Sequence, residues 1–160
     1  AAGQETRATA SVTVTGASAA SCQFSTSLTE DCPLTQETVN VVFQPFEKGY
    51  MVWNSNTKKI YVLFPDKTWE EFTDTWQAGD PDPVASDVPP NLVLPVRGFG
   101  KVWTQLGGAP VLGFATAPES AYAATWETHP MSDGGQTVPT PHFTLPDGRV
   151  AHLSGQWTIE

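Results

Sequence analysis

Positive charge is scarce in this 160-residue chain: eight Lys and Arg stand against seventeen Asp and Glu, for a formal charge of -9. A surface of that sign repels phosphate backbones and anionic headgroups, which excludes nucleic acid as an expected partner. Long apolar runs are missing too. None approaches the roughly 20 residues of a membrane-crossing helix, so no membrane insertion is expected. Uninterrupted stretches of strong helix formers are also absent, because fourteen Pro and thirteen Gly cut nearly every window before three turns can form. Cysteine is limited to Cys22 and Cys32, ten positions apart in a Ser/Thr-rich segment without a His or Cys at zinc spacing. A disulfide is the simplest reading and two free buried thiols the alternative. Closing so small a loop contributes on the order of 2–3 kcal/mol and implies an oxidising compartment. The opening Ala-Ala-Gly-Gln, without Met, is what remains after a leader is cleaved beyond small residues. A secreted, extracellular or cell-surface location is therefore expected.

What is abundant is aromatic and turn-forming: six Trp and eight Phe among frequent Thr, Val, Pro and Gly. That mixture favours short strands joined by many turns. The expected fold is mainly β, with antiparallel sheets and hairpins in one compact domain, one or two short helices, and an N-terminal strand arm.

The arm and its flexible leash occupy residues 1–21, and the domain residues 22–160. From Thr6 to Thr15, Ala8, Ala10, Val12 and Val14 share one face and polar residues the other, the period-two pattern of a half-buried strand. From Val39 onward the pattern predicts an antiparallel meander: Val39 to Phe43, Tyr50 to Trp53, Ile60 to Phe64, and Thr68 to Phe72. The Asp/Pro-rich connector 79–90 supports neither helix nor sheet and divides the domain into lobes of about 22–78 and 91–160. Phe99, Val102, Trp103 and Leu106 then fall at helical spacing before Gly107-Gly108. Thr116 to Glu119 has capping-box spacing, which predicts a second helical turn there. Strands follow around Tyr122 to Trp126 and His142 to Trp157. Leu63-Phe64-Pro65-Asp66 through Trp76 is echoed by Thr144-Leu145-Pro146-Asp147 through Trp157, suggesting a duplicated hairpin followed by a buried Trp.

Phe46-Glu47-Lys48-Gly49-Tyr50-Met51-Val52-Trp53 resembles the aromatic-acidic-basic-Gly-x-x-x-Trp strand of LGFP-type repeats. Leu106-Gly107-Gly108-Ala109-Pro110-Val111-Leu112-Gly113-Phe114, with Thr116 and Glu119, is similar to their Leu-Gly-Gly-x-x-x-Leu-Gly-x-Pro-Thr-x-x-Glu stretch. Ala115 stands where that pattern has Pro, and a long connector separates the two parts. The resemblance implies a non-catalytic module of secreted or cell-envelope proteins and supplies no ligand residues.

Searching for chemistry narrows the field further. There is no Gly-x-Ser-x-Gly, and a disulfide would leave no free Cys, so nucleophilic catalysis lacks its parts. Glu70, Glu71, Asp74, Glu119 and Glu127 are the candidate carboxylates for an envelope hydrolase, although strand-borne acids beside Trp are usually solvated. His142 and His152 flank the Pro146-Asp147-Gly148 turn and are weak metal candidates, with His129 a third ligand; a cross-strand pair is the plainer reading. Asp74, Asp80, Asp82 and Asp87 lack the Asp-x-Asp-x-Asp-Gly loop of a calcium site and read as a solvated acidic loop. No cofactor is expected.

Trp53, Trp69, Trp76 and Trp103 are the candidate ligand-facing aromatics, with Trp126 and Trp157 further contributors, since indole faces stack on sugar rings. In so small a domain most Trp belong to the core. The favoured reading is a non-enzymatic extracellular structural protein whose arm strand adds to another copy of the chain, giving a head-to-tail filament. An LGFP-like module binding cell-wall glycan is the alternative, and an envelope hydrolase the third.

Overall fold

Residues 27–29 and 32–160 are described by a computed structural model. The arm residues Ala8, Ala10, Val12 and Val14 lie outside them, as does Cys22. Both the arm strand and the Cys22–Cys32 pairing therefore fall outside the described residues. Cys32 itself is not a free thiol.

Eight strands and two short helices follow in order: β1 (Thr35–Phe46), β2 (Gly49–Asn54), β3 (Lys59–Leu63), β4 (Trp69–Thr73), α1 (Arg97–Gln105), α2 (Ala109–Leu112), β5 (Ser120–Asp133), β6 (Gln136–Thr144), β7 (Val150–Leu153) and β8 (Trp157–Ile159). They form one antiparallel sheet of order β4-β3-β2-β1-β5-β6-β7-β8. The fold is mainly β in one compact domain, and stretches 22–78 and 91–160 both supply strands to that sheet. They meet where β1 pairs with β5, from Thr35 opposite Thr128 to Phe43 opposite Ser120.

Strand alternation sorts the side chains into two faces. Val39, Val41, Val52, Tyr61, Leu63, Ala124, Trp126, Phe143, Ala151, Leu153 and Trp157 fill the inner one. The sheet rolls around them until its ends touch, as twisted sheets do when a single face must be buried. At that contact the Trp157 backbone N–H donates to the Lys67 carbonyl at 2.8 Å, and the Trp157 and Trp69 indoles donate to the Phe64 and Ser154 carbonyls at 2.8 and 2.7 Å. Trp126 stacks on Phe143 at 4.5 Å, and the Lys67 ammonium sits 3.6 Å above the Trp157 ring.

The outer face of β1–β3 carries Val42, Phe46, Met51, Trp53, Ile60 and Val62, and the helices cover it with Phe99, Val102, Trp103 and Leu112. Helix α1 forms because Phe99, Val102 and Trp103 line one side. It ends where the Gly107 and Gly108 N–H groups fold back onto the Thr104 and Trp103 carbonyls and Gly107 takes a φ of 99°.

The helical turn expected at Thr116 does not form. The Thr116 N–H is taken by the Pro45 carbonyl at 2.9 Å, and Ala115 bridges both Phe46 and Val93. These tertiary bonds hold the segment extended and override the capping signal. The second helix is α2, earlier in the chain, with Pro110 in its first turn.

The two echoed hairpins share their turn bonding. Lys67 donates to Phe64 and Phe64 to Thr68 in one; Gly148 donates to Leu145 and Leu145 to Arg149 in the other. They diverge at the Trp that follows: Trp157 enters the inner core, whereas Trp76 lies on the outer side of the sheet, only half buried.

Candidate functional site

Between the outer face of β1–β3 and the start of α1 lies a cavity of about 210 Å³, lined by Val42, Trp53, Ile60, Asp74, Trp76, Arg97, Gly98, Phe99 and Glu119. That exceeds the ~150 Å³ in which an engineered apolar cavity holds benzene, so a substituted six-membered ring has room. Trp53 arrives from the outward row of β2. Trp76 is set by a turn in which the Asp74 carboxylate accepts its backbone N–H at 3.0 Å. Gly98 lets the helix approach: a Cβ there would sit 2.6 Å from Asp74 Oδ1. Arg97 holds a φ of 51°, a conformation costly for a side chain of its size, while its N–H donates to Asp82 Oδ1 at 2.7 Å.

Two of the residues lining this cavity carry unpaired indole donors. Trp53 Nε1 and Trp76 Nε1 are both buried, and among the described residues neither has a hydrogen-bond partner. A buried unpaired donor costs about 1–3 kcal/mol, so two in residues of one cavity wall call for an explanation. The other candidate aromatics are structural. Trp103 Nε1 donates to the Gly113 carbonyl at 2.8 Å, and Trp69 Nε1 is satisfied by Ser154 at the closure of the sheet.

Acceptors and charge complete the lining. Burial raises the Glu119 carboxyl above the ordinary carboxylate range, against the opposing pull of Arg97 and with a further push from Asp82. Arg97 Nη1 lies 3.6 Å from Glu119 Oε2 at the exposed rim. The Lys58 ammonium stands 4.9 Å from the Trp53 ring centroid. Apolar walls, two indoles and two carboxylates suit noncovalent recognition of a ring with hydroxyl groups on its edge.

The other half of the outer face is polar. Glu127 and His142 are opposite each other on β5 and β6, and His142 is opposite His152 on β7. The Glu127 carboxylate is fully buried and accepts from the Leu28 N–H at 2.9 Å, Gln36 Nε2 at 2.6 Å and the Ser27 hydroxyl at 3.2 Å, with His129 Nε2 at 2.7 Å. Burial works to raise its pKa, but those bonds prevail and hold it below the usual range. His129 stacks on His142 at 4.3 Å, and His142 Nδ1 lies 3.3 Å from His152 Nδ1. Burial pushes the His142 pKa down to about 4, assisted by its His neighbours and resisted by Glu127.

The structure thus brings the three His together with Glu127, but no group of three or more His, Cys, Asp or Glu among the described residues is arranged to hold a metal ion. The acids of the connector are dispersed. Asp80 pairs with Lys101 at 2.9 Å, Asp82 binds the Arg97 N–H, and Asp87 accepts from Ser86. Glu71 pairs with Lys59 at 2.9 Å and Glu70 is exposed, so of the candidate carboxylates only Asp74 and Glu119 share a cavity.

Sequence reasoning missed Arg97 and Gln44. Gln44 is 1% exposed, and its Oε1 has no partner among the described residues. Its signal was a lone amide flanked two residues away on each side by Val42 and Phe46.

Comparison with known proteins returns no match: no family model fits the chain, and no curated protein or solved structure is similar to it. The two stretches that resemble LGFP-type repeats lie side by side in space. The Glu47 and Lys48 N–H groups donate to the Phe114 and Leu112 carbonyls, and Glu47 Oε2 accepts from the Phe114 N–H. Their last residues, Trp53 and Glu119, line the same cavity.

Proposed function

We propose that the chain is a non-enzymatic, extracellular glycan-binding module whose ligand occupies the cavity between Trp53 and Trp76. The observation that carries this reading is a ring-sized space walled by the side chains of Trp53 and Trp76 beside Asp74 and Glu119, with both indole N–H groups buried and unpartnered among the described residues. A sugar supplies what the lining lacks: oxygens to accept from the indoles, hydroxyls to donate to the carboxylates, and an apolar ring face for Val42, Ile60 and Phe99. The resemblance to LGFP-type modules supports the same class and suggests cell-wall glycan as the source. Retention on isolated cell-wall polysaccharide tests it. The wild-type chain should be retained and Trp76→Phe, which removes only the donor and part of the ring, should elute early; equal retention of both contradicts the reading.

A second reading, assembly through the arm strand, draws on the sheet ends. β4 and β8 are terminal in the strand order and share no ladder, so an added strand would pair there by parting the contact through which Trp157 bonds Lys67. Removing residues 1–16 should then abolish oligomers in sedimentation while leaving a folded monomer, and an unchanged oligomer would count against it.

A further inference from the structure

Residues 74–83 leave the end of β4 and lie against α1 without joining a strand or a helix. They are fastened to that helix along their length. A Cβ at Gly98 would sit 2.6 Å from Asp74 Oδ1, and one at Gly100 would sit 2.6 Å from Pro83 Cδ, so the segment rests directly on the helix backbone. Glycine is a poor helix former, and two of them in a helix of nine residues act against α1 itself; the segment packed on them accounts for both. The Arg97 N–H donates to Asp82 Oδ1 at 2.7 Å. Lys101 Nζ donates to the Thr75 carbonyl at 3.0 Å and to Asp80 Oδ2 at 2.9 Å. Between Thr75 and Asp80 the segment closes on itself: Asp80 Oδ2 accepts the Gln77 N–H at 3.0 Å, and the Gln77 carbonyl accepts the Asp80 N–H at 2.9 Å. Trp76 lies inside that small loop, and its side chain is one wall of the tryptophan cavity. Past Pro83 the fastening ends, and Val84 is 95% exposed.

We propose that residues 74–83 are a strap and that Lys101 is the residue that positions Trp76, holding it at the cavity before a ligand arrives. Lys101 fits the part because one ammonium joins both ends of the Trp76 loop to α1. Its pair with Asp80 is 44% and 33% exposed, so it adds little to the stability of the whole chain. What it governs is the opening of a short loop, which lies at the low end of local stability. A wall already in place spares the ligand from ordering it, and a site that is only partly populated in its binding form binds more weakly by that fraction.

The consequence for binding rests on the glycan reading of the cavity, whereas the strap does not, and the test separates the two. Amide hydrogen exchange, and binding isotherms on isolated cell-wall polysaccharide, are measured for the full chain, for Lys101→Met and for Lys101→Arg. In Lys101→Met the Trp76 and Gln77 amides should exchange about fivefold faster, the most that an exposed pair of this kind yields, while the amides of β2 and β3 keep their protection. Affinity for the polysaccharide should fall by about the same factor. Lys101→Arg, which keeps a cation with several donors, should restore both. Unchanged exchange at Trp76 and Gln77 overturns the strap. Faster exchange with undiminished affinity overturns the positioning role and leaves the glycan reading intact. A wild-type chain that the polysaccharide does not retain overturns the glycan reading and the role of Lys101 in binding, and the strap then stands or falls on exchange alone.

Discussion

The outer face of the sheet is covered in two ways, one apolar with a cavity and one polar and hydrogen-bonded. Over β1–β3 the cover is apolar, made by α1 and α2, and leaves a void walled in part by two tryptophans whose buried indole N–H groups have no partner among the described residues. Over β5–β7 that face is polar: Glu127 is surrounded by donors from Ser27, Leu28, Gln36 and His129, and of the buried His nitrogens beside it only His142 Nε2 lacks a partner among the described residues. Satisfied polar networks rigidify, whereas unsatisfied buried groups are tolerated chiefly where something else is to meet them. The same strand alternation thus builds a bonded polar network on one half and, on the proposed reading, a binding site on the other.

The sharpest way to break this contrast is to remove the network's acceptor. Glu127→Leu leaves several buried donors without an acceptor and should cost about 3–5 kcal/mol in urea unfolding; a loss under ~1 kcal/mol would mean the network is decorative. On the helix side, Leu112→Ala opens a hole at a fully buried position and should cost about 2–5 kcal/mol.

Acid should act mainly through the polar half. His142 is neutral in the folded chain down to about pH 4 although its ordinary value is 6.5, so stability is full above 6.5 and declines as pH falls toward 4. Glu127, held below the usual carboxylate range, loses its contribution in acid as well, with the same sign. Unfolding free energy should fall on the order of 3 kcal/mol across that window, and His142→Phe should flatten the profile. Glu119 has the opposite sign, because burial favours its protonated form. Trp76→Phe should have the smallest effect on stability, within about 1 kcal/mol, because it removes a donor that has no partner to lose.

Much of this architecture is legible in the residues. Alternation from Val39 to Phe72 marks the first four strands, and Phe99, Val102 and Trp103 mark α1. The failures share a cause, which is contact between segments distant in the chain. Thr116 reads as a cap, yet Pro45 takes its N–H. Gln44 lies past the strand expected to end at Phe43, yet β1 runs on to Phe46 and its outer face is covered, so the Gln44 side chain is buried. Trp53 and Trp76 were among the candidates, but only the fold distinguishes their unpaired N–H groups from the engaged ones of Trp69 and Trp103. The left-handed conformation of Arg97 has no sequence signal, since Arg rarely adopts it.

The most direct measurement follows the indole N–H resonances in a proton–nitrogen correlation spectrum of the ¹⁵N-labelled chain, titrated with the β-1,4-linked dimer of N-acetylglucosamine. The Trp53 and Trp76 signals should move downfield as their protons gain acceptors, while those of Trp69, Trp103 and Trp157 stay in place. Binding that shifts the engaged indoles and leaves Trp53 and Trp76 unmoved would contradict a receptor built around two waiting donors.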